Sequence, residues 1–331
     1  MGNSQILPPV SIKTRILISF LVVLLTLSVS IALLGYYVVM HDIFGRAERK
    51  VLNDLKVARM VYTAEIERIG QGLRLVSPNG DIEGLRERLD LHYLRYVPAS
   101  DFATLQSDLA RLAATDGRAT GGTRRMSREE LDSMPGDFAG KRSIPIKATP
   151  MAGPTEREVL DNVMVKECAV PVMNDVGRVD GVLYGGRVVN RDYTFVDRIR
   201  DLVYGRELYR GKPVGTVTIF QDDVRISTNV LDESGQRAVG TRVSSQVYEK
   251  VVREGQVWHD RAFVVTDWYK TAYEPIKNIQ GEVIGILYVG TLEQPFHDMA
   301  RQVLVIFLLA VGAVTLIAVL FSFILAGALS R

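Results

Sequence analysis

Pro171-Val172-Met173-Asn174-Asp175-Val176-Gly177-Arg178-Val179-Asp180-Gly181-Val182-Leu183-Tyr184-Gly185-Gly186 reads as an apolar strand, a polar turn carrying a glycine, and an alternating apolar strand. That is the signature of a β-hairpin. The pattern returns at a fixed offset of 104 residues, from Pro275-Ile276 through Gly281 and Val283 to Gly285-Ile286-Leu287-Tyr288 and Gly290. A repeat of this kind predicts two copies of one small α+β module in tandem.

Outward from the repeat, two uncharged apolar runs occupy residues 16–40 and 303–329. Each exceeds the about 20 residues that a helix needs to cross a bilayer core. Lys13 and Arg15 precede the first run and no acid occurs before Asp42, which predicts a cytoplasmic N-terminus. The run is too long for the apolar core of a cleaved signal peptide, so an uncleaved signal-anchor is expected. Tyr36 and Tyr37 suit an interfacial belt at its outer end. Two spans put both termini on one side and about 260 residues on the other.

The 331 residues are 47% hydrophobic with a net charge of +2, and basic clusters are interspersed with acids, so no nucleic-acid partner is expected. The one cysteine, Cys168, excludes an internal disulfide. Its surroundings suggest no lowered thiol pKa, and a small buried hydrophobe is its simpler role. His41, His92, His259 and His297 lack metal-ligand spacing, and Asp222-Asp223 reads as a hairpin turn. No nucleophile elbow, phosphate-binding glycine loop or His-Glu-x-x-His occurs. The chain is expected to be no enzyme, with neither cofactor nor metal.

Between the spans, Leu52, Leu55, Tyr62, Ile66, Ile69, Leu73 and Val76 recur on alternating steps of three and four. This predicts a stalk helix with a heptad seam, broken once by Arg59. The seam has two candidate partners: the chain's own sheet, or the same helix of a second copy. Ser77-Pro78-Asn79-Gly80 ends the helix, and a second, mixed-charge helix is expected over 81–96. A strand pair is expected around Thr115-Asp116-Gly117-Arg118, and a short helix after the capping-box sequence Ser127-Arg128-Glu129-Glu130. An irregular loop follows over 140–154. After the first hairpin, 163–189, a helical connector spans 191–204. The second module then has strands at 216–220 and 224–227, a helix at 244–253, and strands at 257–265, 268–276 and 282–290. Five strands with one intervening helix is the element list of a PAS-like module.

Thr216-Val217-Thr218-Ile219-Phe220, Val224-Arg225-Ile226-Ser227-Thr228-Asn229-Val230, Gly240-Thr241-Arg242-Val243-Ser244, Asp267-Trp268-Tyr269, Ala272-Tyr273-Glu274-Pro275 and Gly285-Ile286-Leu287-Tyr288-Val289-Gly290 closely resemble the double Cache sensor domains. The nearest type is the Cache 3/Cache 2 fusion of bacterial transmembrane receptors, such as sensor histidine kinases and chemoreceptors. The resemblance covers 141–293 well and 77–139 loosely. It implies an α+β fold: two tandem PAS-like modules with antiparallel sheets on a long N-terminal stalk helix, flanked by transmembrane helices. The expected division is a cytoplasmic tail (1–15), a first span (16–40), a stalk (41–76), a membrane-distal module (77–205), a membrane-proximal module (206–295), a second span (303–329), and the start of a cytoplasmic region (330–331). The resemblance further implies an inner-membrane, periplasm-facing sensor that is a homodimer. It implies a small-molecule ligand, an organic acid or amino acid, typically held in the distal module. Output usually passes through a HAMP linker to a kinase, chemoreceptor or cyclase region. The sequence stops where that linker would begin, so the chain is expected to be a fragment or to act through a partner's output.

A site for an organic anion needs a few convergent donors on an apolar wall. The distal candidates are Lys147, Thr149, Lys166, Tyr184 and Asn190. Strand alternation puts Val182, Tyr184 and Val188 on one face, with Leu183 and Arg187 opposite. Tyr184 aligns with Tyr288, so a shared packing role competes with ligand contact. Lys166 sits among apolar neighbours, where a charge must be paired or at an edge. The proximal candidates are Arg225, Arg242, Trp258, Trp268 and Tyr273, since arginine grips carboxylates while aromatic rings wall them. Against them stands simple core filling, with Arg242 bonding the loop before its helix. A second architecture also places both termini inside: the two-span scaffold of polysaccharide chain-length regulators. Its exported part would be dominated by helices.

Overall fold

The computed structural model describes residues 12–75, 81–134, 138 and 140–328; the expected helix break at 77–80, most of the expected tail and residues 330–331 lie outside them. The chain divides into two compact units. One joins the first helix up to Ala47 with the segment from Glu293, and the other runs Glu48–Leu292.

In chain order, helix α1 (Ile12–Arg74) is followed by α2 (Ile82–Arg88), β1 (Tyr93–Pro98), α3 (Asp108–Asp116), β2 (Thr120–Met126) and α4 (Arg128–Ser133). The short pair β3 (Ile144–Pro145) and β4 (Val159–Leu160) precedes the hairpin β5 (Val163–Met173) and β6 (Val179–Val188). Then come α5 (Tyr193–Tyr204), the two-residue strands β7 (Leu208–Tyr209) and β8 (Lys212–Pro213), β9 (Gly215–Gln221) and β10 (Val224–Thr228). Helix α6 (Ser245–Val247) continues as a π-helical turn over Tyr248–Arg253. Strands β11 (Trp258–Val264), β12 (Asp267–Lys277) and β13 (Val283–Leu292) lead to α7 (Gln294–Ala328).

Two expectations are corrected. The mixed-charge helix ends at Arg88, and Tyr93–Pro98 is instead a strand paired to β6 from Tyr93↔Gly186 to Pro98↔Gly181. Local charge spacing suggested helix there, but burial of Tyr93, Leu94 and Val97 against a neighbouring strand decides the conformation. The strand pair around Thr115–Arg118 is a helix end. Ser107 caps α3 by accepting from the Ala110 N–H, and Leu109, Ala110 and Ala113 are buried on one face. Gly117, at φ +62°, closes the helix by donating to the Ala113 carbonyl. The capping box at Ser127 forms as expected, its side chain accepting from the Glu130 N–H.

The two larger antiparallel sheets have strand orders β1-β6-β5-β2 and β10-β9-β13-β12-β11, beside the two-stranded pairs β3-β4 and β7-β8. Sheets of this extent do not fit the helix-dominated scaffold architecture. The fold is α+β, with a long N-terminal helix and antiparallel sheets. The repeat is kept at the level of register. Pro171↔Val182 and Val172↔Gly181 in the first hairpin match Pro275↔Ile286 and Ile276↔Gly285 in the second. Both ladders shift at the same place, between Val172 and Met173 and between Ile276 and Lys277. The turns match too. Asn174 Oδ1 accepts from the N–H groups of Val176 and Arg178, and Asn278 Oδ1 from those of Gln280 and Glu282. Gly177 and Gly281 supply the left-handed residue of each turn, at φ +75° and +84°.

The seam of α1 packs on the chain's own core. Val51, Leu55, Ala58 and Tyr62 join Phe195, Val196 and Ile199 of α5 and Val217, Ile219, Leu287 and Val289 of the second sheet. Further along, Ile69 and Leu73 pack with Leu94, Cys168 and Leu183 of the first sheet. Arg59, the interruption, is exposed and lies beside Glu274.

In the other unit, two helices are long and apolar enough to cross a membrane, with apolar windows that are not buried by protein. Ser28 and Thr315 share a hydrogen bond of 2.7 Å, and Phe307 packs where a side chain at Gly35 would lie.

Candidate functional site

Strand alternation gives the second sheet two unlike faces. Val217, Ile219, Ala272, Leu287 and Val289 face α1 and α5. Phe220, Tyr269, Tyr273, Ile286 and Tyr288 form the other core, roofed by Val247 and Val251 and flanked by Val230, Ala238 and Val243. Its rings interlock: Tyr273 and Tyr288 have centroids 4.7 Å apart, and Trp258 meets Tyr273 edge-on at 5.4 Å. The Tyr288 hydroxyl bonds Thr216 at 3.0 Å.

Arg225 is the exception in this aromatic core. It is 5% exposed, and among the described residues neither Nε nor Nη1 has a hydrogen-bond partner. The guanidinium carbon sits 5.2 Å from the centre of the Phe220 ring. Burial pulls its pKa below the usual arginine value, while the Tyr288, Tyr273 and Tyr269 hydroxyls oppose that shift. Burial also raises the tyrosines, Tyr288 to about 12, so they remain neutral donors. The backbone of Arg225 is fixed on both sides: its N–H donates to Thr241 and its carbonyl accepts from Gly240. Gly240 has φ +89°, and a Cβ there would collide with the Pro145 carbonyl. A buried guanidinium with two unpartnered nitrogens beside neutral phenols has the donor chemistry that an anionic oxygen accepts from.

The remaining proximal candidates divide. Trp258 and Tyr273 belong to this core. Arg242 is committed elsewhere, donating to Asp223 at 2.6 Å and to the Gly153 carbonyl at 2.6 Å. Trp268 lies outside, 45% exposed and stacked edge-on with Phe263. Tyr269 and Tyr288 were legible as partners of Tyr273, since β12 and β13 alternate and put all three on one face.

The distal candidates do not converge. Lys147 lies 3.4 Å from Asp232, and Thr149 accepts from the Arg242 N–H, so both sit on the loop beside the second sheet. Asn190 is used by the backbone, accepting from the Met164 N–H at 2.9 Å. Tyr184 is packed in the outer core of the first sheet with Tyr93, Val165 and Val182. That core holds its own ionic network: Glu167, fully buried, accepts from Tyr93, Ser107 and Arg124, and Arg124 also forks onto Glu130. The position that could meet an anion there already contains a carboxylate.

Lys166 lies on the opposite face of the first sheet, fully buried. Its Nζ has no hydrogen-bond partner among the described residues and lies 3.2 Å from the centre of the Phe195 ring. Burial lowers its pKa to about 7, against the pull of Asp192 and Glu65. A cleft of about 210 Å³ elsewhere is lined by Glu48, Val51, His259, Asp260, Lys270 and Thr271, where His259 Nδ1 lies 3.0 Å from Glu48. Cys168 donates to the Ile66 carbonyl, and burial pushes its thiol up to about 12.

Residues 187–303 match the family described as single cache domain 3. The match contains the whole second sheet and Arg225. Similar solved structures include the periplasmic domain of Vibrio cholerae LuxQ, with 10% identity, a TM-score of 0.35, and coverage of 72% of this chain and 98% of that one. The ligand-binding domain of the Pseudomonas aeruginosa amino acid chemoreceptor PctB in complex with L-Gln has 11% identity and a TM-score of 0.34, covering 77% and 93%. The periplasmic sensory domain of the Campylobacter jejuni chemoreceptor Tlp1 has 9% identity and a TM-score of 0.30, covering 77% and 93%. No curated protein matches the chain.

Proposed function

We propose that the chain is the extracytoplasmic sensing and membrane-relaying part of a bacterial receptor, and that its ligand is a small carboxylate, an organic acid or amino acid, held on the tyrosine face of the second sheet. Arg225 carries the reading. Two buried guanidinium nitrogens without an acceptor among the described residues cost folding energy that an anionic partner would offset. Tyr269, Tyr273 and Tyr288 would orient the carboxylate, and Trp258 would cover the aromatic side. The first sheet, with Glu167 already answering Arg124, serves as scaffold rather than as receptor. Binding would bias two states of β13, which passes within one residue into α7. The receptor would act as a homodimer in the inner membrane, coupled to a cytoplasmic kinase, chemoreceptor or cyclase output.

Thermal unfolding of the full chain in lipid nanodiscs, screened against carboxylates and amino acids, tests this. A ligand at 100-fold excess over its Kd should stabilise by roughly 2.7 kcal/mol. The shift should vanish in Arg225→Leu and survive in Lys166→Met. A shift that survives Arg225→Leu would place the site elsewhere.

A further inference from the structure

Strand β10, which carries Arg225, is an edge strand of the second sheet. Residues 240–243 cover its outer side: the Arg225 N–H donates to the Thr241 carbonyl, the Gly240 N–H to the Arg225 carbonyl, and the Val243 N–H to the Asp223 carbonyl. A second piece of chain, from the loop between β3 and β4, holds that segment from outside. The Lys147 N–H donates to the Gly240 carbonyl at 2.9 Å, and Thr149 Oγ1 accepts from the Arg242 N–H at 3.0 Å. The Met151 carbonyl accepts from the Ser245 N–H at 2.8 Å, and the Gly153 carbonyl from the Arg242 guanidinium at 2.6 Å. The bonded residues 147, 149, 151 and 153 alternate, so the segment lies along the sheet edge as an added strand would.

Between its ends this segment is lightly held. Lys147, Ala148, Pro150 and Met151 are exposed, so water stands ready to replace its hydrogen bonds and local opening is cheap. Met151 adopts φ +65°, a left-handed conformation that a residue with a Cβ pays to keep. The ends are fixed. Ile144 is buried in the core shared by α1, α5 and the second sheet, and Arg157 reaches Asp222 and Asp223 in the β9–β10 turn. Asp223 also accepts from Arg242 Nε at 2.6 Å. One buried carboxylate therefore pins both the far end of the loop and the segment beneath it. The bond to Ser245 fixes the first residue of α6, which Ser244 caps, and Val247 and Val251 beyond it roof the tyrosine face.

We infer that residues 147–153 are a strap that closes the edge of the second sheet over Arg225, and that an anion reaches the guanidinium when the strap lifts. Lifting frees residues 240–245, uncovers β10 and lets the start of α6 move off the tyrosine face. Two residues separate β4, where the loop ends, from β5 of the first sheet. Access to the second sheet is thereby tied to the position of the first. That what enters is an anion rests on the function proposed above; the strap itself does not.

Gly153 and Ser245 provide a lock. A Cβ at Gly153 would lie 3.9 Å from the Ser245 Cβ, within the reach of a disulfide. The full chain with Gly153→Cys and Ser245→Cys, and with Cys168→Ala to remove the one native thiol, is placed in lipid nanodiscs and compared oxidised and reduced. Phenylglyoxal, which labels accessible arginines, should modify Arg225 at least about tenfold more slowly in the oxidised protein, and amide exchange over 240–247 should slow by a similar factor. Exposed Arg206 should label equally in both and serves as the control. Asp223→Asn, which loosens the pin without any disulfide, should speed both readouts, and it keeps the test decisive if the cysteine pair misfolds. Equal labelling of Arg225 in the oxidised and reduced protein overturns the inference. So does an Arg225 that labels in neither, or unchanged rates in Asp223→Asn. Benzoate, as the carboxylate probe, should protect Arg225 from the label in the reduced protein. Absence of that protection with the effect of the lock intact counts against the anion reading alone.

Discussion

Nη1 of Arg59 on α1 lies 3.5 Å from Oε2 of Glu274 on β12. The residue that interrupts the heptad seam is thus the one that answers a carboxylate on the face of the second sheet against which α1 packs. Arg59 is solvent-facing while Glu274 is almost fully covered, so the attraction is screened and does not offset the burial of the carboxylate. Burial raises Glu274 to about 7, with Arg59 opposing.

That shift gives a pH dependence with a definite sign. Below the unfolded value of 4.5, both states are protonated and the site contributes nothing. As pH rises to about 7, the unfolded chain releases the proton first, so stability is lost across this window. Glu274→Gln should match wild type near pH 4.5 and exceed it above pH 7, by about 1–3 kcal/mol. Paired thermal melts across the window measure the difference, and parallel curves would count against it.

Lys166 behaves in the same direction of charge cost but in the opposite pH sense. Its folded pKa of about 7 lies below the ordinary 10.5, so the unfolded chain binds the extra proton between those values and stability rises with pH. Lys166→Met should stabilise the protein at pH 7 by about 1–3 kcal/mol and lose that advantage toward pH 10. Calorimetry of both proteins at pH 7 and pH 10 checks it.

Arg225→Leu separates stability from function. The substitution removes a buried, unanswered cation, and the unliganded variant should melt above wild type, by about 1–4 kcal/mol. Carboxylate-induced stabilisation should disappear in the same protein. A variant that melts below wild type would show that the guanidinium is satisfied in the empty state.

Glu167→Ala should do the reverse. It strips Arg124, Tyr93 and Ser107 of their shared acceptor inside the first sheet. Breaking a buried pair on one side costs about 3–5 kcal/mol. Denaturant titration followed by tyrosine and tryptophan signals would show the loss, and the response to carboxylates should remain while the protein is folded.

Gly177→Ala and Gly281→Ala test the duplication. Both positions have positive φ and open space around the added methyl, so backbone strain alone acts. Each should cost roughly 1–2 kcal/mol, and the two costs should be alike. Melting temperatures of the two single variants measure the match.

Much of this was legible in residues. The hairpins, the stalk, the connector expected over 191–204 and found at Tyr193–Tyr204, and the strand list of the second sheet follow from apolar period and turn chemistry, which are local. The misread stretches, Tyr93–Pro98 and Asp108–Asp116, are short elements whose state is set by burial against β6 and by a single cap. For the site, alternation along β12 and β13 groups Tyr269, Tyr273 and Tyr288, but nothing local says that Glu167 closes one core while Arg225 stands open in the other. That depends on which polar groups meet across strands far apart in sequence. Lys147 and Thr149 were misgrouped for the same reason: a loop's partners are not written in the loop.

Every strand of the first sheet lies at or before Val188, and every strand of the second at or after Gly215, so the two ladders never interleave. Each hairpin also carries its own asparagine clamp in the turn. Hairpins close in about 1–10 μs, whereas ribosomes add about 5–20 residues per second. The first sheet is therefore complete in sequence for seconds before the last hairpin emerges, and it can assemble on α1 while the rest is still being made. During that interval the flank of α1 around Leu55 awaits the second sheet. The order of synthesis thus makes the aromatic module the last part to close, and a stalled or truncated chain would present a finished first sheet with a bare α1 stripe.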